Sequence, residues 1–398
     1  MRYLLAVSLG KSLRYLLRLI RRGGGSALPG LIVSKLAPGF LSRTLTKLPM
    51  GVVLVSGSAG KSSTTQTLVR LLEAHGIRVF TNPSTANIRQ GYYSAILESG
   101  DLFGRLEFDI AVIEADEGHG VSLAREVRPR LVVLTNVLSD QLDRFNDPSY
   151  VVSMLQSIVD LSAAAVINAD DPNLAQLTLP EPTHAAGLSG ELLLSKEAPS
   201  YAFNFTPTPE LIRSARVVSG GVEMAGSAFP SSSESLEHLM NDALALLAAS
   251  QLVDLQVESA RRVLASPARV FARNERVVIQ DREVTLRLVQ NPTSFQLNLD
   301  ELSGSETPLM LMAGSDIHDP SWLWTVDFSK LQKVDIVSGS NAYDLALRLD
   351  FAGVEINDVE PDIAAATDKF LALSGEHATI LFSADAMRRT RRHWGLAK

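Results

Sequence analysis

The sequence predicts an α/β protein of two domains, the first of which carries a phosphate-binding loop. Apolar runs typical of buried strands recur in the first domain at 51–57, 109–116, 131–137 and 164–170. A second series follows in the last third of the chain, at 283–289, 308–314, 333–339 and 378–384. Helical stretches separate the runs in both series, and strands that alternate with helices form parallel sheets. The loop is the stretch LVSGSAGKSSTT, residues 54–65, which joins the first strand to a helix.

The 398 residues allow two or three domains, at roughly 100–200 residues each. We predict an N-terminal helical segment over 1–45, a central nucleotide-binding domain over 46–265 and a smaller α/β domain over 266–398. The stretch from about 172 to 235 is rich in Pro, Ser, Thr and Gly and shows only weak strand patterns. We interpret it as an irregular insertion in the central domain.

Composition narrows the function before any motif is considered. Hydrophobic residues make up 46% of the chain and charged residues 20%, as in an ordinary protein with packed cores. The formal net charge of −7 argues against a nucleic-acid-binding protein, which would present a basic face. The chain has no cysteine, which excludes disulfides, thiolate zinc sites and a cysteine nucleophile on this chain.

The N-terminal stretch MRYLLAVSLGKSLRYLLRLIRRGGG predicts an amphipathic helix. Leucines recur at helical spacing, while Lys11, Arg14 and Arg18 break the apolar runs. The segment is therefore neither a membrane-spanning helix of ~20 apolar residues nor a signal peptide. The helix either packs on its own domain or makes a peripheral contact with an anionic membrane surface. With both alternatives we predict a cytoplasmic protein.

The loop combines the residues that nucleotide binding requires. Gly57 and Gly60 allow backbone N–H groups to approach phosphates, and the following helix adds its positive end. Lys61 can reach the β- and γ-phosphates, and the Ser62 hydroxyl can bind Mg²⁺. Val55 stands where the strict motif has its first glycine. The alternative is a glycine-rich turn without a ligand.

Polar residues follow three other strands of the first domain. Glu114, Asp116 and Glu117 come after the second apolar run. Thr135 and Asn136 follow the third, and Asn168, Asp170 and Asp171 follow the fourth. Because the carboxyl ends of parallel strands meet at one edge of a sheet, we expect these groups to form the rim of an active site. A carboxylate there can hold Mg²⁺, although an ordinary solvated acidic loop is the alternative.

These motifs in this order resemble the Mur ligase family. The resemblance rests on the loop and on the stretches TANIRQG, EADE, TNVLSDQLDR and NADDP. The chain is similar to the MurT branch in particular in the stretches LVQNPTSF, HDPSWLWTVDF and AYDLALRLDFAGV. It implies a Mur-ligase-like central P-loop ATPase domain and a Rossmann-like C-terminal domain. It also implies ATP-dependent amidation of the α-carboxyl of D-glutamate in the lipid II stem peptide, giving D-isoglutamine through an acyl phosphate. The cofactors would be ATP and Mg²⁺, and the enzyme would act at the inner face of the membrane.

The resemblance also assigns roles to individual residues. It implies that Lys61 and the loop, through Gly57, Gly60, Ser62 and Ser63, hold the phosphates of ATP. Ser62 and Glu114 would bind Mg²⁺. The other residues that match nucleotide-binding positions of the family are Asn87, Asn136, Asn241 and Arg273. Glu275 matches a glutamate of the family at the start of the last domain.

The source of nitrogen implies a second protein. Release of ammonia from glutamine usually needs a thiolate nucleophile with a histidine, and this chain has no cysteine. The resemblance implies a heterodimer with a GatD-like glutamine amidotransferase, whose catalytic triad Asp319 would complete by orienting a histidine. Alternatively, Asp319 caps the helix that begins at Pro320. Trp322 and Trp324 beyond it belong either to the core or to the contact with the partner.

Three departures from the family pattern keep other functions open. The four-cysteine zinc ribbon of the MurT branch is absent, His119, His184 and His238 lack ligand spacing, and we predict no zinc site. Ala59 replaces an asparagine, and Gln290 replaces a lysine. A non-catalytic scaffold that binds nucleotide is one alternative. A Mur-type ligase that adds an amino acid without a glutaminase is another.

Overall fold

The computed structural model describes residues 2–20, 28–83, 88–101, 104–137, 148–194, 212–233, 236–266, 275–289, 292–300, 302, 308–317, 320–375 and 378–396. These residues divide into two compact units. The described residues up to 266 belong to the first unit, and those from 275 onward belong to the second. The boundaries 1–45, 46–265 and 266–398 stay a proposal, because the N-terminal helices group with the central sheet.

The first unit is built on a nine-stranded sheet with the order β2-β3-β1-β4-β5-β6-β7-β8-β9. The strands are β1 (Val52–Ser56), β2 (Val79–Thr81), β3 (Ile110–Glu114), β4 (Leu131–Leu134), β5 (Ala165–Asn168), β6 (Thr183–Leu188), β7 (Arg213–Val218), β8 (Gly221–Met224) and β9 (Ser227–Pro230). Pairing is parallel from β2 through β7 and antiparallel for the last two strands. Every residue of β1, β3, β4 and β5 is buried, which explains their continuous apolar runs.

Helices cover this sheet and complete the core. They are α1 (Arg2–Ile20), α2 (Leu28–Leu36), α3 (Phe40–Leu45), α4 (Lys61–Glu73), α5 (Arg89–Ser99), α6 (Glu117–Val127), α7 (Pro148–Val159), α8 (Gly190–Leu194), α9 (Leu236–Ser250) and α10 (Val257–Leu264). Apolar residues of α4 and α9 share one cluster with β1 and its neighbours. The residues of α9 from 239 to 249 are all buried, so this helix lies inside the unit rather than on its surface.

In the described part of 172–235, regular strands replace the predicted irregular insertion. Four of the nine strands, β6 to β9, lie in this stretch and extend the sheet at one edge. Their residues are small or interrupted by glycine, as in THAAGL and SAFP, so that local apolar periodicity is weak. The strands depend on tertiary contacts instead, because Val217, Val222 and Phe229 are buried in the cluster that contains α9.

The N-terminal helix packs on the first unit. Ala6 and Val7 are buried, the Lys11 ammonium donates to the Gly100 carbonyl oxygen at 2.6 Å, and Arg14 forms an ion pair with Glu98 at 2.5 Å. Burial is the main cause that lowers the pKa of Lys11. The first of the two alternatives for this helix is therefore the one observed. Within the described ranges, no helix has the length and apolar character needed to cross a membrane.

The second unit is a smaller α/β unit with a six-stranded sheet of order β10-β11-β15-β12-β13-β14. Its strands are β10 (Glu275–Ile279), β11 (Arg282–Leu288), β12 (Leu309–Met312), β13 (Lys333–Ser338), β14 (Glu355–Glu360) and β15 (Ala378–Phe382). Its helices are α11 (Pro292–Asp300), α12 (Ala342–Phe351), α13 (Ile363–Ala372) and α14 (Ala384–His393). Only β10 and β11 pair antiparallel, and apolar clusters fill both faces of the sheet. The two predicted α/β regions are confirmed.

An ion pair at the edge of the first sheet gives a prediction for acid stability. The Arg78 guanidinium and its backbone N–H donate three hydrogen bonds to Asp109, at 2.8, 2.9 and 3.1 Å. The side-chain hydrogen bond from Arg78 is the main cause that lowers the pKa of Asp109. The stabilisation is therefore present above the ordinary pKa of aspartate and is lost as the pH falls through the lowered value.

We expect Asp109→Asn to reduce the free energy of unfolding at neutral pH, by an amount that shrinks toward acid pH. Urea unfolding at several pH values measures this difference. Asp350→Asn, which changes an exposed carboxylate on α12, is the matched control. A difference that stays constant from neutral to acid pH would contradict the assignment.

Candidate nucleotide-binding site

The phosphate-binding loop lies at residues 57–60, between the end of β1 and the start of α4. Gly60 directly precedes the helix in a left-handed conformation with φ of 80°. Ser62 and Ser63 are buried in the first turn of α4. The first N–H groups of a helix have no acceptor within it, and its N-terminus is the positive end of the helix dipole. The loop and this first turn therefore provide the geometry of a phosphate site.

Thr135 and Asn136, which follow β4, hold the loop in shape. Asn136 accepts hydrogen bonds from two loop N–H groups, that of Ala59 at its Oδ1 (2.8 Å) and that of Ser58 at its carbonyl oxygen (2.9 Å). The Thr135 hydroxyl donates to the Ala59 carbonyl oxygen at 2.6 Å. A Cβ on Gly57 would lie 2.4 Å from Thr135 Oγ1, so a side chain would displace this contact. Asn136 thus contacts the loop backbone, and its predicted role in nucleotide binding stays a prediction.

Asn241 approaches the loop from the buried helix α9. The Thr64 hydroxyl donates to Asn241 Oδ1 at 3.2 Å, although the two residues are 177 positions apart in the sequence. The same oxygen lies only 2.2 Å from the position that a Cβ on Gly60 would take. This close approach explains why a glycine precedes α4. The predicted nucleotide-binding role of Asn241 stays a prediction.

Lys61 is held by the loop and by an acidic residue of α6. Its ammonium group donates to the carbonyl oxygens of Gly57 and Ser58 and lies 3.4 Å from Glu117 Oε1. The Glu117 side chain is only 4% exposed and the Lys61 side chain 11%. In this arrangement the lysine is folded back onto the loop, and a carboxylate balances its charge.

The three acidic residues at the end of β3 and after it make different contacts. Glu114 ends β3, and its backbone N–H and carbonyl oxygen each form a 3.0 Å hydrogen bond with the Asn82 side chain. Asp116 precedes α6 and accepts a hydrogen bond from the Gly118 N–H at 3.2 Å, so it caps that helix. Glu117 is the residue that reaches Lys61. The alternative of a solvated acidic loop is wrong, since Glu114, Asp116 and Glu117 are all buried.

Tyr92 on α5 belongs to the same buried region. Burial raises the pKa of its phenol well above the usual value, and the charges of Asp116, Glu114 and Glu117 raise it further. The phenol is therefore neutral at physiological pH. Our reading of the sequence missed Tyr92 and Asn82, because a tyrosine in a helix and an asparagine after a strand give no local signal of a shared site.

The predicted Mg²⁺ donors lie on either side of the loop. Ser62 is in the first turn of α4, and Glu114 is in register with Val55, two residues before Gly57. In the part of the chain that the structure describes, no group of three or more His, Asp or Glu side chains could hold a metal ion by itself. Mg²⁺ commonly takes one or two protein carboxylates and completes its shell with phosphates and water. The roles of Ser62 and Glu114 as donors to a divalent metal that arrives with a nucleotide stay predictions.

The acidic pair after β5 stabilises the sheet. Asp170 forms an ion pair with Arg213 at 2.7 Å, and Asp171 accepts hydrogen bonds from three backbone N–H groups, including that of Val137 at 2.7 Å. Burial is the main cause that raises the pKa of both carboxyls, although these partners oppose it. Both carboxylates are therefore held by contacts within the first unit, and their place in an active-site rim stays a prediction.

Several predicted site residues lie outside the described residues. These are Asn87, Arg273 and Asp319, whose predicted roles stay predictions, and Gln290, which departs from the family pattern, also lies outside the described ranges. Glu275 is described, and it pairs with Arg391 on α14 at 2.8 Å.

The two tryptophans after Asp319 differ in their surroundings. Trp322 packs edge-on against Phe295, with ring centroids 6.2 Å apart, so it belongs to the core. Trp324 is 46% exposed and contacts Phe351, which is also exposed. The sequence left open whether Trp322 belongs to the core or to a contact with a partner, and the structure shows it packed on the core. A contact of Trp324 with a partner stays a prediction.

Comparison with known proteins identifies the family. Residues 55–191 match the Mur ligase middle domain, and residues 288–387 match the MurT ligase C-terminal domain. The chain is 26% identical to lipid II isoglutaminyl synthase (glutamine-hydrolyzing) subunit MurT of Staphylococcus aureus (strain COL), over 94% of each chain. It is also 26% identical to the subunit of that name from Streptococcus pneumoniae (strain ATCC BAA-255 / R6), over 86% of each chain.

A solved structure supports the fold independently. The MurF ligase of Thermotoga maritima, determined in complex with ADP, superposes with a TM-score of 0.64 over 92% of this chain and 83% of that chain, at 17% identity. The fold is therefore that of the Mur ligases. Within that family, the match to the C-terminal domain and the two full-length relatives place the chain in the MurT branch.

Proposed function

We propose that this chain is the ATP-using subunit of a lipid II isoglutaminyl synthase. The observation that carries the proposal is the phosphate-binding loop with Lys61 at its base, in a chain that matches MurT subunits over almost its whole length. The substrate would be the α-carboxyl of D-glutamate in the stem peptide, and the product a carboxamide. The reaction makes this chain a carbon–nitrogen ligase.

The chemistry divides into two steps. A carboxylate oxygen attacks the γ-phosphorus of ATP, and the bond between that phosphorus and the oxygen that bridges it to the β-phosphate breaks. ADP leaves, and the substrate becomes an acyl phosphate. Ammonia then adds to the acyl carbon, inorganic phosphate leaves, and a proton passes to solvent. Because phosphoryl transfer needs little covalent help, the protein acts mainly by positioning the reactants and balancing charge.

The described residues suit that role. Lys61 would leave Glu117 and the loop carbonyls and turn toward the β- and γ-phosphates when ATP enters. Thr135 and Asn136 hold the loop in its observed shape, and Asn241 packs against its last glycine. Ser62 and Glu114 would hold Mg²⁺, which supplies positive charge to the phosphates.

The nitrogen would come from a partner subunit. Since the chain contains no cysteine, a thiolate that hydrolyses glutamine must lie on another protein. The names of the two relatives describe subunits of a glutamine-hydrolysing enzyme. We propose a heterodimer with a GatD-like glutaminase, in which Asp319 orients the histidine of the partner. We place the reaction at the inner face of the membrane, where lipid II is made.

The first test bypasses the partner. The purified chain is incubated with ATP, Mg²⁺, lipid II and a high concentration of ammonium, and the stem peptide is analysed by mass spectrometry. We expect one carboxyl to become a carboxamide, and no product without ATP. ATP binding without amide formation, with ammonium and also with a glutaminase subunit, would support a non-catalytic scaffold. A product that carries an added amino acid would support the third alternative.

A further inference from the structure

The N-terminal helix α1 packs on the first unit by one face. A Cβ on Gly10 would lie 2.5 Å from a methyl carbon of Val33 on α2 and 3.0 Å from one of Leu97 on α5, so α1 approaches both helices closely there. On the same face, Lys11 and Arg14 reach the C-terminal end of α5. These contacts leave the opposite face of α1 without packing.

That opposite face is exposed and apolar. Leu5, Leu9 and Tyr15 are 64%, 51% and 66% exposed, and Ser8 and Ser12 between them are also exposed. At 3.6 residues per turn, the five positions fall within about a third of the helix circumference. None of the five is charged, although the solvent face of a surface helix usually carries charged and polar residues.

Exposed apolar side chains are concentrated in this part of the first unit. Among the residues of this unit that the structure describes, nine large hydrophobic side chains are exposed, and six of them lie on α1 or α2. The six are Tyr3, Leu5, Leu9, Tyr15, Leu28 and Leu36. Single exposed apolar residues are common, but a cluster of them marks an interaction surface.

The same segment is strongly basic. Residues 1–50 contain nine Lys and Arg residues and no Asp or Glu, whereas the whole chain has 37 Lys and Arg and 44 Asp and Glu. Lys35 on α2 and Arg43 on α3 are exposed. Apolar side chains beside an excess of positive charge are complementary to an anionic lipid surface, where acyl chains lie beneath negative headgroups.

We propose that α1 and α2 form a surface that binds an anionic phospholipid bilayer, with Leu5, Leu9 and Tyr15 inserted among the headgroups. The packing of α1 on the first unit and this contact use opposite faces of the helix. Because the rest of the chain is acidic, the bilayer attracts this segment and repels the remainder, which orients the protein. The inference rests on the proposed function in one respect, since the same bilayer would carry the lipid II that the enzyme amidates.

Binding is tested with the purified full chain and two kinds of vesicle, phosphatidylglycerol with phosphatidylcholine and phosphatidylcholine alone. We expect the chain to sediment with the anionic vesicles only, and to dissociate as the salt concentration rises. Replacing Leu5, Leu9 and Tyr15 together by serine should lower the partition coefficient about tenfold or more. The matched control replaces Tyr343 and Leu347, which are similarly exposed on α12, by serine and should leave the partition coefficient unchanged.

A second pair of variants separates membrane binding from folding. Ser8→Asp with Ser12→Asp adds two negative charges to the outward face, whereas Ser8→Asn with Ser12→Asn changes the same positions without charge. We expect the aspartate pair to lower the partition coefficient about tenfold, and the asparagine pair to stay within about twofold of wild type. Urea unfolding should show the same stability for both pairs. Equal binding by the two pairs would overturn the proposed contact.

The link to the substrate is tested by amidation, with ammonium, of lipid II in the anionic vesicles and of a short-chain analogue that stays in water. We expect the triple serine variant to raise the KM for embedded lipid II about tenfold and to leave both constants for the analogue unchanged. A KM that rises equally for the two substrates would contradict a role of this surface in reaching the bilayer.

The remaining outcomes separate the two proposals. If the wild-type chain binds anionic vesicles but amidates neither substrate, the proposed function fails and the membrane surface stands. If it amidates both substrates without binding vesicles, the membrane surface fails and the proposed function stands. Equal binding to the two kinds of vesicle would overturn the choice of an anionic bilayer. A dimer in the absence of lipid that the triple serine variant abolishes would assign the face to a second copy of this chain.

Discussion

Replacing Lys61 with alanine is expected to lower the rate of amidation about 100- to 1,000-fold, with ammonium or with glutamine alike. Lys61 would supply positive charge to the γ-phosphate, and the other residues of the described loop carry no charged side chain. Amidation with either nitrogen source passes through the same acyl phosphate. The rate of product formation at saturating ATP measures the effect. Lys47→Ala, which changes an exposed lysine of the same unit, should leave the rate unchanged.

The variant also removes the charge partner of Glu117. A buried carboxylate that loses its cation can destabilise a protein by about 3 kcal/mol, so Lys61→Ala is expected to unfold at lower urea concentration. The double variant Lys61→Ala with Glu117→Gln should recover most of that stability and none of the activity. Amidation by either variant at the wild-type rate would rule out the proposed function of Lys61.

Gly60→Ala is expected to lower the affinity for ATP at least tenfold, which corresponds to about 1.4 kcal/mol of binding free energy. Two effects combine at this position. The left-handed backbone costs a residue with a Cβ about 1–2 kcal/mol, and the Cβ would lie 2.2 Å from Asn241 Oδ1. Because Asn241 is buried on α9, the loop must move away from its present position. Equilibrium binding of ATP to the purified chain measures the loss.

The chain offers a matched control for this glycine. Gly76, after α4, has nearly the same backbone conformation, with φ of 77° against 80° for Gly60. Apart from Gly76 and its two chain neighbours, no heavy atom lies within 4 Å of the Cβ that Gly76→Ala would introduce. This variant should lower the free energy of unfolding by about 1 kcal/mol and leave the affinity for ATP unchanged. Equal affinities of the two variants and the wild type would show that the loop tolerates a side chain at Gly60.

The same contacts explain how the loop works without the first glycine of the strict motif. Val55 occupies that position and lies inside the buried strand β1. The shape of the loop depends instead on Gly57 and Gly60, and on Asn136, which binds the N–H groups of Ser58 and Ala59. Ala59 contributes its backbone to this network, so the side chain that the family has at this position is not needed for the fold of the loop.

Local sequence features were enough to predict the two α/β units and the position of the loop. Strands that are buried on both faces appear as continuous apolar runs, and β1, β3, β4 and β5 are buried throughout. The glycine spacing and the lysine that starts α4 are equally local, because one strand–loop–helix unit contains all of them. The sequence alone also shows that this chain has no cysteine and cannot supply the thiolate that glutamine hydrolysis usually uses.

Tertiary structure alone decided which residues meet at the loop and how far the sheet extends. Asn241 and Glu117 reach the loop from α9 and α6, and no periodicity within either helix encodes that contact. Asp170 and Asp171 have the local pattern of site residues, and only the structure shows that the Arg213 guanidinium on β7 and the Val137 N–H after β4 bind them. The strands β6 to β9 carry small residues and gain their stability from neighbouring strands and from α9, so their own sequence predicts them only weakly.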